Sequence, residues 1–187
     1  MSRRRNALIA QLAIAVAAVS VLSAAASPLP TGAWSNVRVS KGEDPHASGI
    51  EVEIREHNGT LVGFLSEYVG PVADPPVGKL ESIRFDEKTG FITFTSKLSV
   101  GVVPAAAGNT WVPSKNVYDF KGAIGKTGLT GTLRRKSVQE DGTGLAYEEN
   151  IQLKTRTATD ADQVSSESFE DWIKRWTELL KTRGPKW

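Results

Sequence analysis

Glu149 is the residue of this chain whose type and position point most directly to chemistry. It sits in the run Leu145–Arg156, where the odd positions Leu145, Tyr147, Ile151 and Leu153 are apolar and the even ones Glu148, Asn150, Gln152 and Lys154 are polar. Alternate side chains of a strand share a face, so Glu149 points inward with the apolar set. A buried carboxylate must be paired, protonated or facing a wet cavity, and Arg84 and Arg135 on other strands are its candidate partners. In a functional role it anchors a ligand in a cavity or serves as a general acid or base. In a structural role it is a salt-bridged strap, or the residue of a β-bulge.

Few other residues compete with it. The chain has no Gly-x-Ser-x-Gly, no His-Glu-x-x-His, no glycine-rich phosphate loop and no cysteine. Its two histidines, His46 in the Lys41–Gly49 loop and His57 beside Asn58-Gly59, are expected in solvent. Glu43-Asp44-x-His46 is the one local metal-type cluster, and an ordinary polar loop accounts for it. No cofactor, no metal and no catalytic residue is assigned. The long connection Ser99–Asn116 carries Trp111 at its centre, and long loops in compact domains are often functional. Trp111 would there be a lid residue over a ligand mouth, or part of a loose excursion.

These residues must be positioned by strands. From Trp34 to Arg156 short runs rich in Val, Ile, Thr, Phe and Tyr alternate with Gly-containing turns. In Ile50–Tyr68 the pair Asn58-Gly59 tolerates the positive φ of a type I′ hairpin turn, which sets Ile54 opposite Gly63, Val52 opposite Leu65 and Glu53 opposite Phe64. Further hairpins are expected at Lys79–Phe85 with Phe91–Leu98, and at Val117–Ile124 with Leu129–Lys136. A turn at Asp141–Gly144 leads into the last run. With Trp34–Val39 as the opening strand there are eight, in sequence order and without helical crossovers. The expected fold class is all-β: an eight-stranded antiparallel up-and-down barrel, which removes exposed edges, with a β-sandwich as the alternative.

The helix signal comes last. Phe169, Trp172, Ile173, Trp176, Leu179 and Leu180 recur at three- and four-residue spacing, so an amphipathic α-helix is expected over 166–183, capped by Ser166 or Ser168 and stopped by Gly184-Pro185. Its stripe is expected to cover Val62 and Phe64 on the outer face of their strand. A membrane surface or a protein partner is the other reading of a Trp-bearing stripe.

Residues 1–26 read as an export signal, with a basic head, an apolar run from Ala7 to Ala26 and the small-residue pattern Ala24-Ala25-Ala26. The domain would then be 27–187, periplasmic or extracellular. Removing Arg3, Arg4 and Arg5 takes the net charge from +2 to about −1, which argues against nucleic acid as a partner.

Gly32-Ala33-Trp34 at the mouth of the first strand, eight meander strands and a closing helix together resemble the lipocalin-like (calycin) barrels. In that family the Gly-x-Trp tryptophan packs at the closed end beneath a basic side chain from near the last strand, a part that Arg156 would take. Where the family carries Thr-Asp-Tyr, this chain has Gly125-Lys126-Thr127-Gly128. The resemblance implies binding of a small, largely apolar ligand in the barrel mouth, without catalysis; the residues expected to line that site are Glu149, Tyr147, Trp111, Val52, Ile54 and Leu65. The alternatives are a carboxylate-dependent enzyme acting on sugars, or an envelope interaction module using Trp172 and Trp176.

Overall fold

The structure, a computed structural model, describes residues 29–71, 74–105, 110–138, 144–156 and 167–187. The expected export signal, the polar linker Thr157–Ser165, the alternative cap Ser166, and Asp141–Thr143 of the expected Asp141–Gly144 turn lie outside the described residues.

The described strands are β1 (Gly32–Ser35), β2 (Arg38–Val39), β3 (His46–His57), β4 (Thr60–Pro71), β5 (Val77–Asp86), β6 (Phe91–Leu98), β7 (Val102–Pro104), β8 (Trp111–Pro113), β9 (Asn116–Gly125), β10 (Gly128–Ser137) and β11 (Ala146–Thr155), followed by helix α1 (Phe169–Arg183). Eight of them close a barrel in the order β1-β11-β10-β9-β6-β5-β4-β3, every pair antiparallel, with β3 returning to β1. The tip of the β3–β4 hairpin is Asn58-Gly59, with φ of 52° and 76°, and the register sets Ile54, Val52 and Glu53 opposite Gly63, Leu65 and Phe64 as the turn dictates. This is a closed barrel with a C-terminal helix, and it is compatible with a lipocalin-like fold.

The interior follows from the two-residue period. Val52, Ile54, Leu65, Ile92, Phe94, Leu98, Phe120, Leu129, Leu133 and Leu153 have almost no solvent exposure and form one core with Trp34. Phe94 and Phe120 stack across it at 4.9 Å. Burying a large apolar side chain contributes roughly 1.5–3 kcal/mol relative to exposure, so this layer is the main source of barrel stability.

Three local features differ from the sequence expectation. The opening strand Trp34–Val39 is two strands, because Asn36 interrupts it: its Oδ1 accepts from the Ile50 amide at 2.8 Å while its own amide donates to the Ile50 carbonyl at 3.1 Å. The Ser99–Asn116 connection contains the ribbon β7–β8, tied down by the Ser114 hydroxyl donating to the Val100 carbonyl at 2.8 Å. His57 is half-buried, not solvated, since its ring stacks on Phe169 at 4.0 Å.

Helix α1 is capped by Ser168, whose hydroxyl accepts from the Asp171 amide, and ends where the Gly184 amide donates to the Leu180 carbonyl. Its Trp172 and Trp176 pack with Phe64 and Val77 on the outer face of the barrel, Trp176 stacked on Phe64 at 4.6 Å and Trp172 edge-on at 5.2 Å. The apolar stripe is therefore used within the domain. Among the described residues no helix is long and apolar enough to cross a membrane.

Candidate functional site

At one end of the barrel the inward positions turn polar. Leu65 is followed by Glu67 on β4, Phe120 is preceded by Tyr118 on β9, Leu133 is followed by Arg135 on β10, and Ile151 is preceded by Glu149 on β11. Glu149 meets Arg135 at 2.9 Å, and the same Arg135 nitrogen meets Glu67 at 3.2 Å. The Tyr118 hydroxyl donates to the other Glu67 oxygen, and the Arg135 guanidinium lies 5.8 Å from the Tyr118 ring centre. Burial and the neighbouring Glu67 carboxylate hold the Tyr118 phenol well above the ordinary tyrosine range. Arg135 Nε is buried without a hydrogen-bond partner, so this layer has one donor to spare.

Arg135, not Arg84, is thus the partner of Glu149; Arg84 points outward beside Thr93. The arginine lies between the two carboxylates, in the space that a substrate bond or an attacking water would need in carboxylate-pair hydrolysis. Tyr147 stands at the rim, 58% exposed, and Trp111 on the β7–β8 ribbon is 69% exposed. Val52 and Leu65 lie directly below the polar layer with no exposure, and Ile54 lies one step deeper. The structure brings Glu149 together with Arg135, Glu67 and Tyr118, and gives Val52, Ile54 and Leu65 to the packed core.

The wall of the barrel opens elsewhere. Strands β4 and β5 share a register only from Phe64–Ser66 to Val77–Lys79, although both run much further. Below that patch β5 carries a bulge between Glu81 and Arg84, with Ser82 held at φ 53°. Beside the bulge, Gly59–Val62 face a cleft of about 520 Å³. Leu61, Leu80, Ile83 and Phe85 line it from the barrel side, Leu29 from the N-terminal segment, and Val62 and Lys79 from the lip. Gly63 fits here because a Cβ would stand 2.7 Å from both Leu80 Cδ1 and the Glu53 carbonyl.

The sequence held signals for the residues it did not yield. Glu67 has the same parity as Leu65, the rule that singled out Glu149. In β5 the inward parity slips from Leu80 to Ile83 and Phe85, and such a slip marks a bulge.

Outside the barrel, Glu53 is 4% exposed beneath helix α1 and accepts from Trp172 Nε1 at 2.5 Å and Trp176 Nε1 at 3.3 Å. Arg55 and Arg175 each approach it to 3.7 Å. Two residues away, Glu51 pairs with Arg156 at 3.2 Å, yet burial lifts its carboxyl above the ordinary range. Arg156 thus pairs with the outer-facing Glu51, the neighbour of Val52 on the opposite face.

His46 contacts the Asp44 backbone oxygen at 3.0 Å through Nδ1. Among the described residues no group of three or more His, Cys, Asp or Glu side chains is placed to hold a metal ion. Compared with protein-family models, curated proteins and solved structures, the chain matches none.

Proposed function

We propose that this protein is a lipocalin-like binding barrel that takes up a small, largely apolar molecule without transforming it, and that it works outside the cytoplasm once residues 1–26 are removed. The observation that carries the reading is the cleft between β4 and β5. Its volume of about 520 Å³ lies in the range of small-ligand sites, and its floor of Leu61, Leu80, Ile83 and Phe85 is continuous with the barrel core. A guest entering sideways would meet these apolar side chains, with Thr60, Lys79 and Ser82 as polar neighbours, without breaking the ion-paired layer of Glu67, Arg135 and Glu149.

Titration with the apolar fluorophore N-phenyl-1-naphthylamine tests this. Saturable uptake is expected, weakened at least about tenfold by Ile83→Glu, which places a charge against the guest. Glu149→Gln should leave uptake unchanged. The opposite pattern, loss with Glu149→Gln and none with Ile83→Glu, would move the site to the barrel mouth, and absence of uptake would refute ligand binding. Export is checked separately, by N-terminal sequencing of protein from the medium or periplasm of expressing cells, where Ser27 is the expected first residue.

A further inference from the structure

The net charge of the chain hides a segregation that only the strand pairing reveals. On β6, β9, β10 and β11 the outward positions place Lys97, Lys121, Arg134, Lys136 and Lys154 against two acids, Asp119 and Glu148. That face carries three net positive charges, more than the +2 of the whole sequence. Lys79, Glu81, Arg84 and Asp86 from β5 join it at one side and cancel.

The charges lie in rows that run across the strands. One row reads Arg84, Thr93, Lys121, Thr132, Asn150, and the next reads Thr95, Asp119, Arg134, Glu148, each residue directly paired with the following one. Between them runs a groove of about 720 Å³ lined by Arg84, Thr93, Lys121, Thr132, Arg134 and other members of the two rows. Lys121 and Arg84 have no ion-pair partner among the described residues, and the one pair in the groove, Arg134 with Glu148 at 3.6 Å, is exposed and weak.

We propose that this face binds an acidic polysaccharide laid across the strands. Neighbouring strands lie about 4.8 Å apart, so each row offers one hydroxyl, amide or cation at a spacing of the same order as the repeat of a pyranose chain. Thr93 and the Asn150 amide nitrogen suit sugar hydroxyls, the Thr132 and Thr95 hydroxyls already donate to Asn150 Oδ1 and the Glu81 carbonyl and can still accept, and Lys121, Arg134 and Arg84 suit the carboxylates of a uronic-acid chain. Phe91, 46% exposed in the adjacent row between Asp86 and Ala123, offers an apolar plane to a sugar ring. A membrane surface is disfavoured because no apolar side chain projects from the two rows to enter lipid. Single-stranded nucleic acid is disfavoured because the face lacks the series of aromatic rings on which bases stack.

Affinity electrophoresis and calorimetry with polygalacturonate test this, using protein purified from cells expressing the full chain. Binding is expected, with dextran inert as the neutral control. The double variant Lys121→Ala/Arg134→Ala should lose about tenfold in affinity or more, with an unchanged melting temperature because neither side chain belongs to the core. Thr132→Val should weaken binding without altering its salt dependence, which pure charge attraction would not predict. The proposal is overturned if polygalacturonate does not bind, if the double variant binds as the parent does, or if an oligonucleotide or anionic phosphatidylglycerol vesicles bind as tightly as the polysaccharide.

Discussion

Glu53→Ala measures how the helix is held to the barrel. The substitution deletes the acceptor of two buried indole N–H groups, at 2.5 and 3.3 Å. Each donor left buried without an acceptor costs about 1–3 kcal/mol, the shorter bond toward the upper end and the longer toward the lower. Arg55 and Arg175 lie 3.7 Å away, and Arg175 is partly in water, so they add less. The whole falls at about 3–5 kcal/mol, the range seen when one partner of a buried charged group is removed. With a urea slope of about 2 kcal/mol/M, the unfolding midpoint should drop by roughly 2 M. Glu53→Gln keeps one carbonyl acceptor and turns an amide donor toward the second indole, so its cost should be about half. Urea titration followed by far-ultraviolet dichroism and tryptophan fluorescence reads both, since Trp172 and Trp176 report on the contact. A midpoint loss below about 0.3 M for the Ala variant, or equal losses for Ala and Gln, would refute the assignment of Glu53 as the anchor of helix α1.

Four further outcomes follow from the same geometry. Burial raises the Glu51 carboxyl despite Arg156, so Glu51 favours folding while protonated and loses that contribution as pH rises through its folded value; Glu51→Gln should be at least as stable as the parent at neutral pH, with the difference closing below about pH 4.5 in a melting series. Tyr118 is also raised, so its contribution is present below the ordinary tyrosine value of 10.0 and is lost at higher pH; Tyr118→Phe should cost about 1.5–3 kcal/mol at neutral pH through the lost bond to Glu67, and the gap should narrow under alkali. Ser82→Gly relieves a left-handed residue at the bulge and should stabilise by about 0.5–1 kcal/mol in thermal melts, whereas Ser82→Val should destabilise. Arg135→Met leaves Glu67 and Glu149 without their shared cation and should cost about 1–3 kcal/mol, a loss that Glu149→Gln in the same chain should partly restore.

Hairpins with a turn residue at a fixed place were legible from sequence because the turn alone sets the register; Asn58-Gly59 settles every pairing from His57–Thr60 upward. Parity was equally informative wherever a strand stayed regular, and it brought Glu149 to Arg135. It failed where the backbone breaks step. Asn36 imitates a strand partner with its side chain and splits the opening strand, and the slip at Ser82 opens the wall next to Leu61, a position unremarkable in isolation. The ribbon holding Trp111 was hidden because Pro104 and Pro113 stand in its strands, and proline argues against a strand unless the strand is at an edge. Charge segregation was invisible for a different reason: the basic residues of the outer face come from separate strands, and only the sheet order sums them.

The barrel closes through its shortest wall strand. Strand β1 has four residues and joins β3 on one side to β11 on the other, Trp34 standing between Val52 and Thr155. The first contact is nearly local, but the second spans almost the whole domain, so a chain growing from its N-terminus holds an unclosed sheet until β11 exists. Contacts of such sequence separation slow folding, toward the millisecond-to-second regime of non-local β-proteins. The seam is also where the finished barrel should breathe most easily, since few backbone bonds fasten it. Amides pairing β1 with β11 are expected to exchange with solvent well ahead of those in the β9–β10 ladder, which makes Trp34 the residue that reports first on the opening of the domain.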